Sequence, residues 1–208
     1  MGEMRLKVKD FSQKRRNRPI EITDVAISKI RYTKFDGFSI GQEEFIRERH
    51  QELLREAQKL NLINNTNRME VGILIDIHTW EYWIIHGSNN EVRIYNNVDA
   101  YARLETAHKN QLMFMHNHPS TGTFSGADLK YFCNHDTLYI ITAIGNDGTI
   151  YSLTKTADFN IAVLAEYERL ALFFYIKGHI NNNGTLAMKE ILNRAKEFGL
   201  RYKKGGHK

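Results

Sequence analysis

Cysteine is nearly missing from this chain: Cys133 is the one thiol among 208 residues. An intrachain disulfide is therefore excluded, and with it the disulfide-stapled scaffolds of small secreted domains. A reducing, cytoplasmic setting is the expectation, with Cys133 read as a small buried hydrophobe. No run of twenty apolar residues occurs, so no membrane-spanning helix is expected. The opening Met1-Gly2-Glu3-Met4-Arg5 leads into polar sequence rather than the apolar stretch of a signal peptide. Internal repeats are absent, and the asparagine-rich patches are too short to count as low complexity. With only two prolines and 42% hydrophobic residues, the chain suits one substantial core with appended helices.

Charge is unevenly placed. Residues 1–35 hold ten Lys/Arg against four acids, and 181–208 hold seven against two, whereas 36–180 holds twelve against eighteen. The net +5 thus describes the two ends, and the middle is acidic. The cluster Lys14-Arg15-Arg16-Asn17-Arg18 suits nucleic acid or an acidic partner. It has no interleaved aromatics, and a solvated arm is the simpler reading.

Periodicity orders the elements. Pro19 to Ile22 suggests a short strand, and Gly41 to about Leu60 a helix on apolar residues spaced three and four apart. Strands are expected over 71–77, 80–86 and 92–95, and a helix over 99–108. Next come a strand over 111–116, a helix over 126–134 and a hairpin of 138–144 with 149–153. The segment 158–176 reads as a very apolar core or interface helix, 186–198 as an amphipathic one, and 202–208 as a frayed tail. This order suits an α/β fold, an α-β-α sandwich around a central mixed sheet with extra C-terminal helices. The expected division is a basic arm and lead-in over 1–39, a metal domain over 40–160, and helices with a basic tail over 161–208.

The chemistry concentrates in His116-Asn117-His118-Pro119-Ser120-Thr121-Gly122-Thr123-Phe124-Ser125-Gly126-Ala127-Asp128. Two histidines two positions apart at the end of an apolar strand lie on one side of it, so both imidazoles can point at one metal ion. Asp128 can complete a set of two histidines and one carboxylate, leaving a fourth position open as in a catalytic zinc site. Ser125, three residues before Asp128, fits a helix cap whose capping box the aspartate completes. Read singly, these are a strand end with two surface histidines and an ordinary capped helix.

These residues resemble the JAMM (MPN+) metalloprotease signature: His-x-His-Pro, a short loop, then Ser-x-x-Asp. One departure is the loop, with nine residues between His118 and Asp128 where the usual pattern has ten. Its wording is most similar to bacterial and phage-associated JAB-type domains. The resemblance covers residues 40–160 and implies a cytidine-deaminase-like JAB/MPN architecture with Zn2+ held by His116, His118 and Asp128. It also implies a glutamate base at the start of an upstream strand, which Glu70 in Met69-Glu70-Val71-Gly72 matches; Glu81 and Glu105 are its rivals. By the same resemblance the Ser125 hydroxyl donates to a developing oxyanion, a role compatible with capping. His50, His78, His86, His108 and His135 read as surface or structural histidines, and the contiguous His-Asn-His is not the ββα nuclease motif of that name.

The implied activity is that of a zinc-dependent metallopeptidase or isopeptidase acting on a polypeptide, for example the C-terminal tail of a ubiquitin-like protein. A DNA-associated role like that of RadC-type relatives, and a non-catalytic JAB scaffold or binding module, are the alternatives. Nucleic acid is the less favoured partner, no membrane is expected, and surplus apolar surface on 158–176 would suit a homodimer or protein partner.

Overall fold

The structure, a computed structural model, describes residues 18–205. Lys14, Arg15, Arg16 and Asn17 of the basic cluster lie outside the described residues. Six strands form one sheet: β1 (Met69–Asp76), β2 (Tyr82–Asn89), β3 (Leu112–His118), β4 (Leu138–Gly145), β5 (Ile150–Lys155) and β6 (Leu200–Gly205), in the order β2-β1-β3-β4-β5-β6. Every neighbouring pair is antiparallel except β3 with β4. That parallel step needs a crossover, and a helix supplies it.

Helices cover both faces. Alternation along the strands sends Val71, Ile73 and Ile75 of β1, Met113 and Met115 of β3, and Ile140 and Ile144 of β4 to one face. There they meet Leu53, Leu54 and Ala57 of the long helix α2 (Ile40–Ile63) and Ile27 of the short α1 (Asp24–Ser28). The other registers, Leu74, Leu112, Phe114, Ile141 and Leu153, face the second core. This one is built by α3 (Val98–Thr106), α4 (Gly126–Asn134), α5 (Ala162–Ile176) and α6 (Asn183–Asn193) through Leu104, Phe132, Val163, Leu170 and Ile191. Each such fully buried aliphatic or aromatic side chain contributes roughly 1.5–3 kcal/mol. The architecture is thus α/β, a mixed six-stranded sheet flanked by helices.

Local signals explain the helix starts. Ser39 caps α2 in a capping box with Gln42, and Asn97 caps α3 by accepting from the amides of Asp99 and Ala100. α5 buries Val163 and Leu170 but leaves Leu172, Phe173, Tyr175 and Ile176 exposed. No helix among the described residues is long and apolar enough to cross a membrane.

Three expectations fail. Residues 92–95 are not a strand: a single bridge, Ser88 with Glu91, is followed by a 3-10 turn at Ile94–Asn96. Pro19 to Ile22 makes no strand either, because Ile20 instead donates its amide to Pro119 O at 2.7 Å and leads into α1. Of the tail from Tyr202, residues 202–205 belong to β6, which pairs along its length with β5, and 206–208 lie outside the described residues. Its lysines suggested a solvated end, but Gly199, with φ 63°, lets the chain turn back into the sheet. A Cβ there would lie 2.2 Å from the Asp158 backbone, so the turn requires glycine. Packing crosses the expected boundaries at 39 and 160, since Ile22, Ile27, Ile30 and Phe35 share a core with α2 and the sheet.

Candidate metal centre

β3 ends in His116-Asn117-His118, and its two-residue period turns both imidazoles to the same face. Their Nε2 atoms are 2.9 Å apart. The chain then loops from Pro119 to Ser125, which opens α4 with a capping box: Ser125 Oγ accepts from Asp128 N at 3.2 Å, and Ser125 N donates to Asp128 Oδ2 at 2.6 Å. That box fixes the Asp128 carboxylate beside the strand, with Oδ1 3.4 Å from His116 Nε2 and Oδ2 3.3 Å from His118 Nε2.

The two histidine–carboxylate spacings suit a shared ion, while the two imidazole nitrogens, at 2.9 Å, are closer than such an ion would set them. Ligand atoms held tetrahedrally at 2.0–2.2 Å from zinc lie about 3.3–3.6 Å from one another, the edge of the tetrahedron. Two imidazoles and one carboxylate are a donor set of the right chemistry, and three ligands leave a fourth position for water or substrate. Among the described residues this is the group of His, Cys, Asp or Glu whose ligand atoms cluster, all within 4.8 Å of one another. The charges of the three side chains lean on one another. Burial presses the His118 pKa down, but the Asp128 carboxylate more than reverses this and leaves it raised. Burial works to raise Asp128, yet both histidines hold its carboxyl well below the usual range.

The surroundings fix the rings. Phe114 stacks on His116 with ring centroids 5.6 Å apart and planes 13° from parallel. Gly72 makes room for that, since a Cβ there would meet the Phe114 ring at 2.7 Å. A hydrogen bond with the Thr123 backbone steadies the His118 ring, while His116 Nδ1 is buried with no hydrogen-bond partner.

Glu70, the second residue of β1, reaches the same groove as His118, Asp128 and Ser125, a cavity of about 770 Å³. Burial pushes its pKa up to about 7; the His118 charge opposes the rise, and the carboxylates of Asp128 and Glu91 add to it. Its rivals are elsewhere. Glu81 is exposed in the turn beyond the far end of β1, about 20 Å along the strand direction. Glu105 is exposed on α3. Ser125 has its oxygen engaged by the Asp128 amide, so its proton is free to point into the groove.

The other histidines stay apart from the cluster. His50 is buried under the opposite face, 2.9 Å from Thr142 Oγ1, and burial lowers its pKa to about 4. His135 bonds the Tyr131 carbonyl, and His86 lies 3.4 Å from Glu56. Cys133 sits in the core, where burial pushes its thiol up to about 12. The sequence reading missed the far wall of the groove: Glu91, Arg93 and Tyr95, and Tyr131 on α4. Tyr131 lies one helical turn from Asp128, so its place on that face was readable from the spacing. The 91–95 wall was hidden by the mistaken strand.

No protein-family model, curated protein or solved structure matches the chain. The chemistry of the site is therefore argued from its own side chains.

Proposed function

We propose that the protein is a zinc-dependent metallopeptidase or isopeptidase. The observation that carries this reading is the placing of His116, His118 and Asp128 at mutual distances of 2.9–3.4 Å beside a groove that also takes in Glu70. His116, His118 and Asp128 would hold the zinc, which would supply a Lewis acid and acidify water at neutral pH. Glu70 takes the proton of the attacking water and later hands it to the leaving amine. The Ser125 hydroxyl donates to the carbonyl oxygen as negative charge develops on it. The groove, whose lining includes Val92, Ile94, Phe114 and Tyr131, suits an extended polypeptide such as the tail of a ubiquitin-like protein. A cytoplasmic setting goes with this reading.

The test is cleavage of a mixed-sequence library of internally quenched octapeptides, half of them joined through a lysine side-chain amine. Zinc-loaded protein should cleave members of it, and a chelator should stop the reaction. Failure to cleave any member at full zinc occupancy would contradict the proposal.

A further inference from the structure

The last backbone pair joining β1 to β3 is Gly72 with His116. Beyond it a side chain continues the ladder. Asn117 Oδ1 accepts from Val71 N at 2.7 Å, and Nδ2 donates to Met69 O at 3.1 Å. One side-chain amide therefore holds the backbone on both sides of Glu70. Its orientation follows from its partners, because an N–H requires an acceptor and a carbonyl requires a donor.

Glu70 needs such a hold. The β1–β2 register shifts between Met69 and Val71, so regular pairing with β2 lapses where the glutamate sits. On the other side β3 runs into Pro119, which has no N–H to extend the ladder. Asn117 is itself braced. Nδ2 also donates to Asn146 Oδ1 at 3.0 Å, and Asn146 in turn donates to Ile20 O at 2.8 Å and, through its amide, to His118 O at 3.1 Å. Asn117 is fully buried, on the sheet face opposite the two histidines that flank it.

We propose that Asn117 is a positioning residue that sets the Glu70 carboxylate against the metal ligands by clamping the peptide groups on either side of it. The residue between the two ligands thus serves the base, and one tripeptide of β3 places three of the groups the reaction uses. This inference rests on Glu70 being the base.

The test compares wild type, Glu70→Gln, Asn117→Ala and the double variant. Asn117→Ser, too short to reach both peptide groups, replaces the alanine protein if that one does not fold. The first readout is amide hydrogen exchange in metal-free protein. Val71 should exchange on the order of a hundredfold faster in Asn117→Ala, with Ile73 and Ile75 unchanged. Unchanged exchange at Val71, or equal acceleration along all of β1, would overturn the clamp. The second readout is acetohydroxamate binding to the zinc-loaded proteins by calorimetry, since a hydroxamic acid chelates zinc and gives its proton to a neighbouring carboxylate. Glu70→Gln and Asn117→Ala should each weaken binding about tenfold, and the double variant no further than either. A double variant weakened by the product of the two effects would show that Asn117 acts independently of Glu70 and overturn the positioning role. Wild-type binding by Glu70→Gln would instead remove Glu70 as the base, whatever the exchange at Val71 shows.

Discussion

Glu70 on β1 and His118 on β3 line one groove, on the sheet face that carries His116. Each lies two residues beyond the last register pair, Gly72 with His116, and the Glu70 carboxyl feels the His118 charge. A candidate base and a candidate ligand are thus held by one antiparallel strand pair, while the third candidate ligand, Asp128, comes from a helix start fixed by its own capping box.

Glu70→Gln keeps the shape of the side chain but cannot take a proton. Zinc content should equal that of wild type, while turnover falls by at least about a hundredfold. Elemental analysis and the peptide library together check this. Retained activity in Glu70→Gln with loss in Glu81→Gln would move the base to the other end of the strand.

Ser125→Ala separates capping from catalysis. Loss of the cap should cost about 1 kcal/mol of stability by urea titration. Loss of the hydroxyl donor should lower turnover further, by about a hundredfold, in protein that is fully folded and fully zinc-loaded. A variant with the stability loss alone would leave Ser125 as a cap.

His50 makes stability depend on pH. Its folded pKa of about 4 lies below the ordinary imidazole value of 6.5, so the unfolded chain takes up a proton first as pH falls. Stability is fully present above about 6.5 and is lost as pH drops from there toward 4, by at most about 3 kcal/mol. Urea titrations at a series of pH values should show this slope in wild type and lose that part of it in His50→Leu. An unchanged slope in the variant would assign it to other groups.

Asp76 is a structural counterpart to Glu70 at the other end of β1. It is 0% exposed and accepts from the amides of His78 and Thr79, from Arg103 and from Gln111. Asp76→Ala leaves the Arg103 and Gln111 donors without their acceptor and should destabilise the protein by about 3–5 kcal/mol. Thermal and urea unfolding measure this, and a loss under about 1 kcal/mol would show that water replaces the carboxylate without difficulty.

Much of this was legible in the residues. The boundaries of α4 were read correctly because Ser125 and Asp128 form a local capping signal. The β4–β5 hairpin was marked by Gly145-Asn146-Asp147-Gly148 between two apolar runs. The candidate triad was visible because its chemistry depends on spacing along the chain. Other features depend on tertiary partners and leave no local pattern. β6 carries exposed-looking lysines, yet Leu200 is buried and its backbone completes the sheet beside β5. The 91–95 wall has a strand-like composition but is drawn into a 3-10 turn beside α3. Asn117 shows its partners, Val71 and Met69, only once β1 lies beside β3.

The central claim is that His116, His118 and Asp128 bind one metal ion. Elemental analysis of purified wild type, set beside His118→Ala, tests it most directly. About one equivalent of zinc in the wild type and almost none in the variant is the predicted result. Full zinc stoichiometry in His118→Ala, or none in a folded wild type supplied with zinc, would contradict it.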